Sequence, residues 1–337
     1  MSRPRIIVGH RTFDDTLRRL RVSGRVVAPT EGDALPAAQL RRTLADADAW
    51  MAFMPDSVDD RLLARCPRLR VIAGALKGYD NFDVAACTRR GVWLTVVPDL
   101  LTVPTAELTI GLMIGLGRHL VDGDRWARSS QFRGWRPCLY GKGLAGAHVG
   151  LFGMGVIGQA VARRLRAFDV ELRYCDPRPL PDVVARELDI RRVRDRAALL
   201  RWSDYLVLAA SLTPATTHII DVEALREMRH GCLLINPSRG SLVDEAAVLA
   251  ALREGRLGGY AADVFEMEDR ARPERPRTVA AALRRHPATL FTPHLGSAVS
   301  DVRRAIERRA ANNIIDALSG RVPRDAVNPT AREPDRG

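Results

Sequence analysis

One stretch limits what this chain can become: His148-Val-Gly-Leu-Phe-Gly-Met-Gly-Val-Ile-Gly158. It opens as an apolar run, tightens into Gly153-x-Gly155-x-x-Gly158, and continues through Gln159 to Arg166 with a helical pattern. A second apolar run from Val170 to Cys175 ends on Asp176, eighteen residues past Gly158. Strand, glycines, helix, second strand and acid in that order are the signature of a dinucleotide site, where the acid stands roughly 20 residues beyond the glycines. Each glycine answers a separate need. Gly153 permits the tight turn, and Gly155 lets the backbone approach a pyrophosphate. Gly158 lets helix and strand pack closely, with the helix N-terminus facing the anion. Asp176 accepts ribose hydroxyls and repels a 2′-phosphate, which predicts NAD; Arg178, two residues on, softens that repulsion and leaves room for some NADP use.

The length of 337 residues predicts two domains rather than one. The first residues, Met-Ser-Arg-Pro-Arg-Ile-Ile-Val, run straight into a strand pattern, so no signal peptide is expected. The cysteines (Cys66, Cys87, Cys138, Cys175 and Cys232) are scattered, without a CxxC pair, and point neither to a disulfide framework nor to a metal site. No apolar run approaches the roughly 18 to 20 residues of a membrane span. A cytoplasmic protein is the expectation. The net charge of +12 raises the question of nucleic acid. The arginines are spread along the chain, however, and only Lys77 and Lys142 are lysines among 52 basic residues. With no basic arm and no aromatic-basic module, neither nucleic acid nor membrane is the expected partner. A small anionic substrate suits the charge better.

Along the chain, strand-like and helical segments alternate. Arg5–Gly9, Val26–Ala28, Ala49–Phe53, Leu69–Leu76 and Val92–Val97 read as strands of a first sheet. Helices are expected over 12–21, 37–45, 59–65 and 83–90. Strands near 148–153, 170–175, 205–209, 232–236, 257–264 and 289–292 make a second sheet. Alternation of this kind predicts an α/β chain of two doubly wound parallel-sheet domains. Thr105–Leu120 reads as a long connecting helix, preceded by Pro104 and capped by Thr105. A final helix over Val299–Leu318 carries the chain back to the first domain. Residues 323–337, rich in Pro, Arg and Asp, read as a loose tail.

Ligands of such sheets bind at the carboxyl ends of the strands. Three polar segments stand there. Asn236-Pro-Ser-Arg-Gly240 holds Arg239; Asp263-Val-Phe-Glu-Met-Glu268 holds Asp263, Glu266 and Glu268; Thr292-Pro-His-Leu-Gly-Ser297 holds His294. An arginine grips an anion by bidentate contact. A histidine moves a proton near neutral pH, and a carboxylate behind it orients the ring.

With these segments on the page, the chain resembles the D-2-hydroxyacid dehydrogenase family over nearly its whole length. The carrying motifs are the glycine turn, Asn236-Pro-Ser-Arg-Gly-Ser-Leu-Val-Asp-Glu245, the Asp263 segment and Thr292-Pro-His294. The resemblance implies a Rossmann cofactor domain (101–295) inserted into a flavodoxin-like substrate domain (1–100 plus 296–337). It also implies a homodimer through the helix near 105–122. Arg239 would bind substrate, His294 would be the acid/base and Glu268, five residues after Asp263, its partner, ahead of Glu266. Asp263 would lie by the nicotinamide carboxamide. Besides Gly153, Gly155, Gly158 and Asp176, cofactor contacts fall on Thr105, Val156 and Ile157. Thr213, Pro214 and Thr217 follow, then Asn236, Pro237, Ser238, Asp263 and His294.

Within the family, Met51–Asp56, Ala75–Asp83, Val97–Glu107 and Gly259–Asp269 resemble the phosphite (phosphonate) dehydrogenases, which oxidise phosphite to phosphate with NAD. Lys77 adds a full charge in a loop that otherwise offers backbone N–H groups, which suits a dianion. On that match Lys77 and Arg239 clamp the substrate beside Gly78. Met54, Trp135 and Tyr140 line the pocket, Ser297 lies near His294, and Arg303 reaches in from the final helix. Hydride leaves phosphorus for the nicotinamide, water brings the new oxygen, and either His294 or Arg239 is the base. Ser238, Ala210-Ser211 and the region 137–142 depart from that pattern. The alternatives are a 2-hydroxyacid dehydrogenase or glyoxylate/hydroxypyruvate reductase and, from another class, an NAD-sensing corepressor.

Overall fold

Strands covered on both faces need apolar residues at every position rather than at alternate ones. Ala49–Ala52, Val71–Gly74, Tyr205–Leu208 and Cys232–Asn236 are buried throughout. The computed structural model describes residues 3–330, which divide into two compact units, 3–101 with 298–330 and 102–297. The chain opens with β1 (Arg5–Val8), α1 (Asp14–Ser23), β2 (Arg25–Val27), α2 (Ala37–Leu44) and β3 (Ala49–Ala52). Next come α3 (Asp60–Ala64), β4 (Val71–Gly74), α4 (Val84–Arg89) and β5 (Trp93–Thr95). The second unit runs α5 (Thr102–Gly117), α6 (Leu120–Ala127), β6 (His148–Phe152), α7 (Val156–Leu165), β7 (Glu171–Cys175), α8 (Asp182–Glu187) and β8 (Ile190–Arg192). It continues with α9 (Arg196–Trp202), β9 (Tyr205–Leu208), α10 (Val222–Glu227), β10 (Cys232–Asn236), α11 (Glu245–Arg253), β11 (Leu257–Ala262), α12 (Ala281–Arg284) and β12 (Thr289–Phe291). Finally α13 (Ser300–Leu318) rejoins the first unit.

The first sheet has the order β2-β1-β3-β4-β5, all parallel, the flavodoxin-like order. Packing α1 and α13 on one face buries Ile6, Met51, Val71 and Ile314; the opposite face buries Ile7, Trp50, Ile72 and Leu94. The second sheet runs β12-β11-β10-β9-β6-β7-β8, also all parallel. Its strand order reverses between β6 and β9, the switch point where a doubly wound sheet opens a ligand crevice. Helices α5 and α7 cover one face around Met113, Leu151 and Val207. On the other face, α9, α10 and α11 pack around Leu206, Leu234 and Val248.

Helix starts follow simple chemistry. Asp59, Asp83, Asp195, Asp221 and Asp244 are N-caps whose carboxylates accept first-turn N–H groups, for example Leu62 N–H at 2.7 Å and Ala86 N–H at 2.8 Å. Among the described residues no helix is long and apolar enough to cross a membrane, and no group of three or more His, Cys, Asp or Glu could hold a metal ion.

Three expectations need correcting. Helix α5 begins at Thr102, not at Thr105, so Thr105 is no cap and Pro104 sits inside the first turn. Proline is tolerated there because first-turn N–H groups have no intrahelical acceptor to lose. Elements α6, α8, β8 and α12 have no counterpart in the sequence reading; each is three to eight residues long, too short to build up a period. The tail is the third. Residues 323–330 lie along β5, the edge strand, with Thr95 bridging Ala326 in antiparallel sense and Val327 N–H donating to Leu94 O at 2.9 Å. Asn328 is buried; its Oδ1 accepts from Leu94 N–H at 2.8 Å, and its Nδ2 donates to Val92 O at 3.0 Å and to Thr88 Oγ1 at 3.2 Å. Burial works against the charged form of Asp325, but the Arg309 guanidinium at 2.6 Å and Asn313 overcome it and hold the carboxyl below its usual range. An edge strand with open N–H and C=O groups must be covered, and this segment covers it. Residues 331–337 of that tail lie outside the described residues.

Asn328→Ala would leave a buried N–H and a buried C=O without partners. A stability loss of about 1–3 kcal/mol is expected, read as a lower denaturant midpoint at unchanged slope.

Candidate active site

The glycine turn follows β6. Gly153 has φ +95°, and a Cβ there would lie 2.6 Å from the backbone of Ala209 and Ala210 at the end of β9. A Cβ on Gly158 would lie 2.6 Å from Gly153 O. Both positions exclude any side chain. Gly155 differs: a Cβ there meets nothing within 4 Å, so the space over it is open. Helix α7 starts at that point without a side-chain cap, and its first residue, Val156, is exposed, followed by Ile157. Uncapped N–H groups around an open glycine form a cradle for an anion. Asp176 pins the turn from β7, where Oδ2 accepts from Met154 N–H and Oδ1 from Arg178 N–H, both at 2.8 Å. Carboxylate oxygens accept more than one bond, so ribose hydroxyls remain within its capacity. Thr213–Thr217 form a compact turn beyond β9: Thr213 N–H donates to Thr216 Oγ1 at 2.8 Å and Thr217 Oγ1 to Thr213 O at 3.0 Å, around Pro214. These residues fit a dinucleotide.

The candidate site groups come from three adjacent strand ends. Asn236, Ala262 and Phe291 stand in register on β10, β11 and β12. Arg239 follows β10, Asp263 follows β11, and His294 follows β12. The Asn236 side chain is buried and staples its own loop: Nδ2 donates to Arg239 O at 2.8 Å and Oδ1 accepts from Ser238 N–H at 3.1 Å, across Pro237. Ser238 Oγ donates to Leu208 O at 3.1 Å, and Arg239 Nη1 donates to Ser238 O at 2.8 Å.

Asp263 is 1% exposed, and its carboxylate organises the loop that follows β12. It accepts from Thr292 Oγ1 at 2.5 Å, Leu295 N–H at 2.6 Å and Gly296 N–H at 2.8 Å. Burial pushes its carboxyl above the usual range against these bonds. Thr105, in the first turn of α5, donates from Oγ1 to Gly296 O at 3.2 Å, and Ser297 follows, half-buried. Held on these points, His294 takes the left-handed φ of +58°, sparsely populated for a residue with a side chain. Its Nδ1 lies 2.6 Å from Glu268 Oε2. Because a carboxylate accepts, the proton on that side belongs to Nδ1, which leaves Nε2 to exchange a proton with a ligand. Glu268 Oε1 accepts from Phe265 N–H at 2.8 Å, so the carboxylate is itself held. Glu266 turns elsewhere, to His218 Nε2 and to Arg272 Nη1, the latter at 3.2 Å.

In the first unit, Lys77 and Gly78 follow β4. The Lys77 ammonium is buried with no hydrogen-bond partner; burial pulls its pKa down against the pull of Asp99. Arg303 on α13 donates from Nη1 to Ala75 O at 3.1 Å and so holds the loop leading to Lys77. Met54 packs on the core of that unit. Trp135 and Tyr140, in the second unit, stand 88% and 80% exposed. Missing from the sequence reading are Glu245, Asp269, His218 and Arg272, which surround the turns carrying Arg239 and Glu268. Their only sequence signal was position, just after the strand-end motifs.

Fold and glycine turn together define a dinucleotide-binding α/β protein. Residues 110–296 match the model of the D-isomer specific 2-hydroxyacid dehydrogenase NAD binding domain. A glyoxylate reductase of Pyrococcus horikoshii is 35% identical, covering 87% of this chain and 86% of its own, and one of Thermofilum pendens is 34% identical over 97% and 95%. Among solved structures, a Thermus thermophilus protein superposes with TM-score 0.85 at 34% identity, covering 96% of this chain and all of its own. An NADPH-dependent glyoxylate/hydroxypyruvate reductase of Sinorhizobium meliloti, in complex with NADP and malonate, gives 0.82 at 30% identity over 99% and 98%. The chain belongs to the D-isomer specific 2-hydroxyacid dehydrogenase family, with an NAD-binding domain. None of these relatives is named for phosphite, so the comparisons support the coarser family assignment and, beyond it, the hydroxyacid alternative.

Burial raises the carboxyl of Glu245 to about 7, against its bond from Glu266 N–H. A carboxyl raised above its unfolded value binds more protons folded than unfolded, so its contribution to stability falls as pH rises from about 4.5 to about 7. Glu245→Gln removes that loss. The melting temperature of the variant relative to wild type is expected to climb between pH 5 and pH 8.

Proposed function

We propose that the protein reduces a small 2-oxoacid of the glyoxylate and hydroxypyruvate kind with a nicotinamide cofactor, and oxidises the D-2-hydroxyacid in reverse. The observation that carries this reading is the His294–Glu268 pair, 2.6 Å apart on strand ends next to the Arg239 turn. The names of the relatives support this substrate class.

A nicotinamide cofactor, when bound, would supply the hydride to the carbonyl carbon. The Arg239 guanidinium grips the substrate carboxylate and draws charge from the carbonyl oxygen. His294, its Nδ1–H held by Glu268, donates a proton from Nε2 to that oxygen as it becomes an alkoxide. In the oxidative direction Nε2 takes the hydroxyl proton. Glu268 never needs to change protonation; it fixes ring orientation and offsets the imidazolium charge. Asp176 supports NAD as the preferred cofactor, with NADP as a weaker one. Phosphite oxidation is a second reading and rests on Lys77, whose buried ammonium lacks a hydrogen-bond partner and would suit a dianion.

The purified protein is expected to consume NADH with glyoxylate or hydroxypyruvate, followed as loss of absorbance. His294→Ala should lower kcat by about 10²–10⁴-fold while leaving the KM for NADH nearly unchanged. Turnover of phosphite with NAD in place of any 2-oxoacid would reverse the order of the two readings.

A further inference from the structure

The turn that carries Arg239 and the turn that carries Glu268 come from different strands, yet they touch through their backbones. A Cβ on Gly240 would lie 1.8 Å from Phe265 C and 2.1 Å from Glu266 N. No side chain of any size fits between them. Two buried carboxylates bridge the same contact from opposite sides. Asp269, 2% exposed at the end of the Glu266–Glu268 turn, accepts from Ser241 N–H at 2.7 Å. Glu245, 5% exposed at the start of α11, accepts from Glu266 N–H at 2.9 Å. His218 completes the frame. Its N–H donates to Ser241 O at 2.7 Å, and its ring meets the Glu266 carboxylate, which Arg272 also contacts.

We propose that Asp269 and Glu245 are positioning residues that lock the Gly240–Leu242 turn against the Glu266–Glu268 turn, so that Arg239 and Glu268 keep one spacing. The inference rests on the reductase reading, in which Arg239 holds the substrate and Glu268 holds His294. The crossed design explains why both carboxylates are buried: each accepts a backbone N–H from the other segment. Asp269 reaches from the Glu268 side to Ser241, and Glu245 reaches from the Arg239 side to Glu266. Loss of either bond leaves a hinge at the Gly240 contact. A displacement of about 1 Å between anchor and proton donor costs on the order of 10²-fold in rate.

The test uses Asp269→Ala, Glu245→Ala, their double variant and Glu245→Gln, which keeps an acceptor oxygen for Glu266 N–H. Deuterium exchange of segments 239–245 and 264–270 reads the lock without any activity. Both Ala variants are expected to exchange faster in both segments, and Glu245→Gln to exchange no faster than wild type. In kinetics, each Ala variant should lose about 10–100-fold in kcat/KM for the 2-oxoacid, with the KM for NADH within about 3-fold of wild type. The double variant should equal the worse single one, because one broken strut already frees the contact. Exchange confined to the mutated segment would overturn the proposal. Equal changes in oxoacid and NADH KM, or faster exchange with unchanged oxoacid kcat/KM, would overturn it as well. If the wild type turns over no 2-oxoacid, the reductase reading falls, and the exchange data alone still decide whether the lock exists.

Discussion

The register of three neighbouring parallel strands governs the second unit. Asn236, Ala262 and Phe291 are paired side by side on β10, β11 and β12, so whatever follows them emerges in one row. Arg239, Asp263 and His294 are spread over 56 residues of chain and meet because of that pairing. A slip of one residue in any of the three strands would turn its inward side chains to the opposite face, and the buried core forbids it. The strand ends then hand precision over to short hydrogen bonds. Asp263 gathers Thr292, Leu295 and Gly296, and that grip keeps His294 in a left-handed conformation it would otherwise avoid.

Buried and half-buried carboxylates perform most of this ordering. Asp176 fastens the glycine turn, Asp263 the histidine loop, Glu245 and Asp269 the two turns between, and Asp325 the segment over β5. All except Asp325 accept backbone N–H groups that loops cannot satisfy within themselves. Such bonds are strong because the acceptor is ionised or shielded from water, and they are costly to lose because the donor is then stranded. Around the candidate site, rigidity therefore comes from acids that touch no substrate in the proposed reaction.

Much of this was legible in the amino-acid order. Strand and helix alternation and the glycine spacing are local signals, and local physics decides them: apolar runs and a backbone that must turn without a Cβ. The segments carrying Arg239, Glu268 and His294 were legible for the same reason, since each is contiguous. The resemblance put Glu268 ahead of Glu266, and the fold supplies the physical reason. Only the path of the turn after β11 aims Glu268 at His294 and Glu266 at His218 and Arg272. The substrate is harder still. Lys77 is one residue in one loop, and the relatives carry names that point to 2-oxoacids.

The sequence by itself determined the fold class and the dinucleotide turn, because apolar runs alternating along the chain and the spacing of glycines and acid are read directly from residue order, and its contiguous motifs named Arg239, Glu268 and His294 as candidates. Tertiary structure alone decided which acids are structural. Proline and charge made 323–330 look loose, yet those residues close an open strand edge. Glu245 and Asp269 stand at the ends of quoted motifs, but nothing in their local pattern gives them a role. Their role appears only when strands distant in sequence bring two turns so close that a glycine and two buried carboxylates are all that fits.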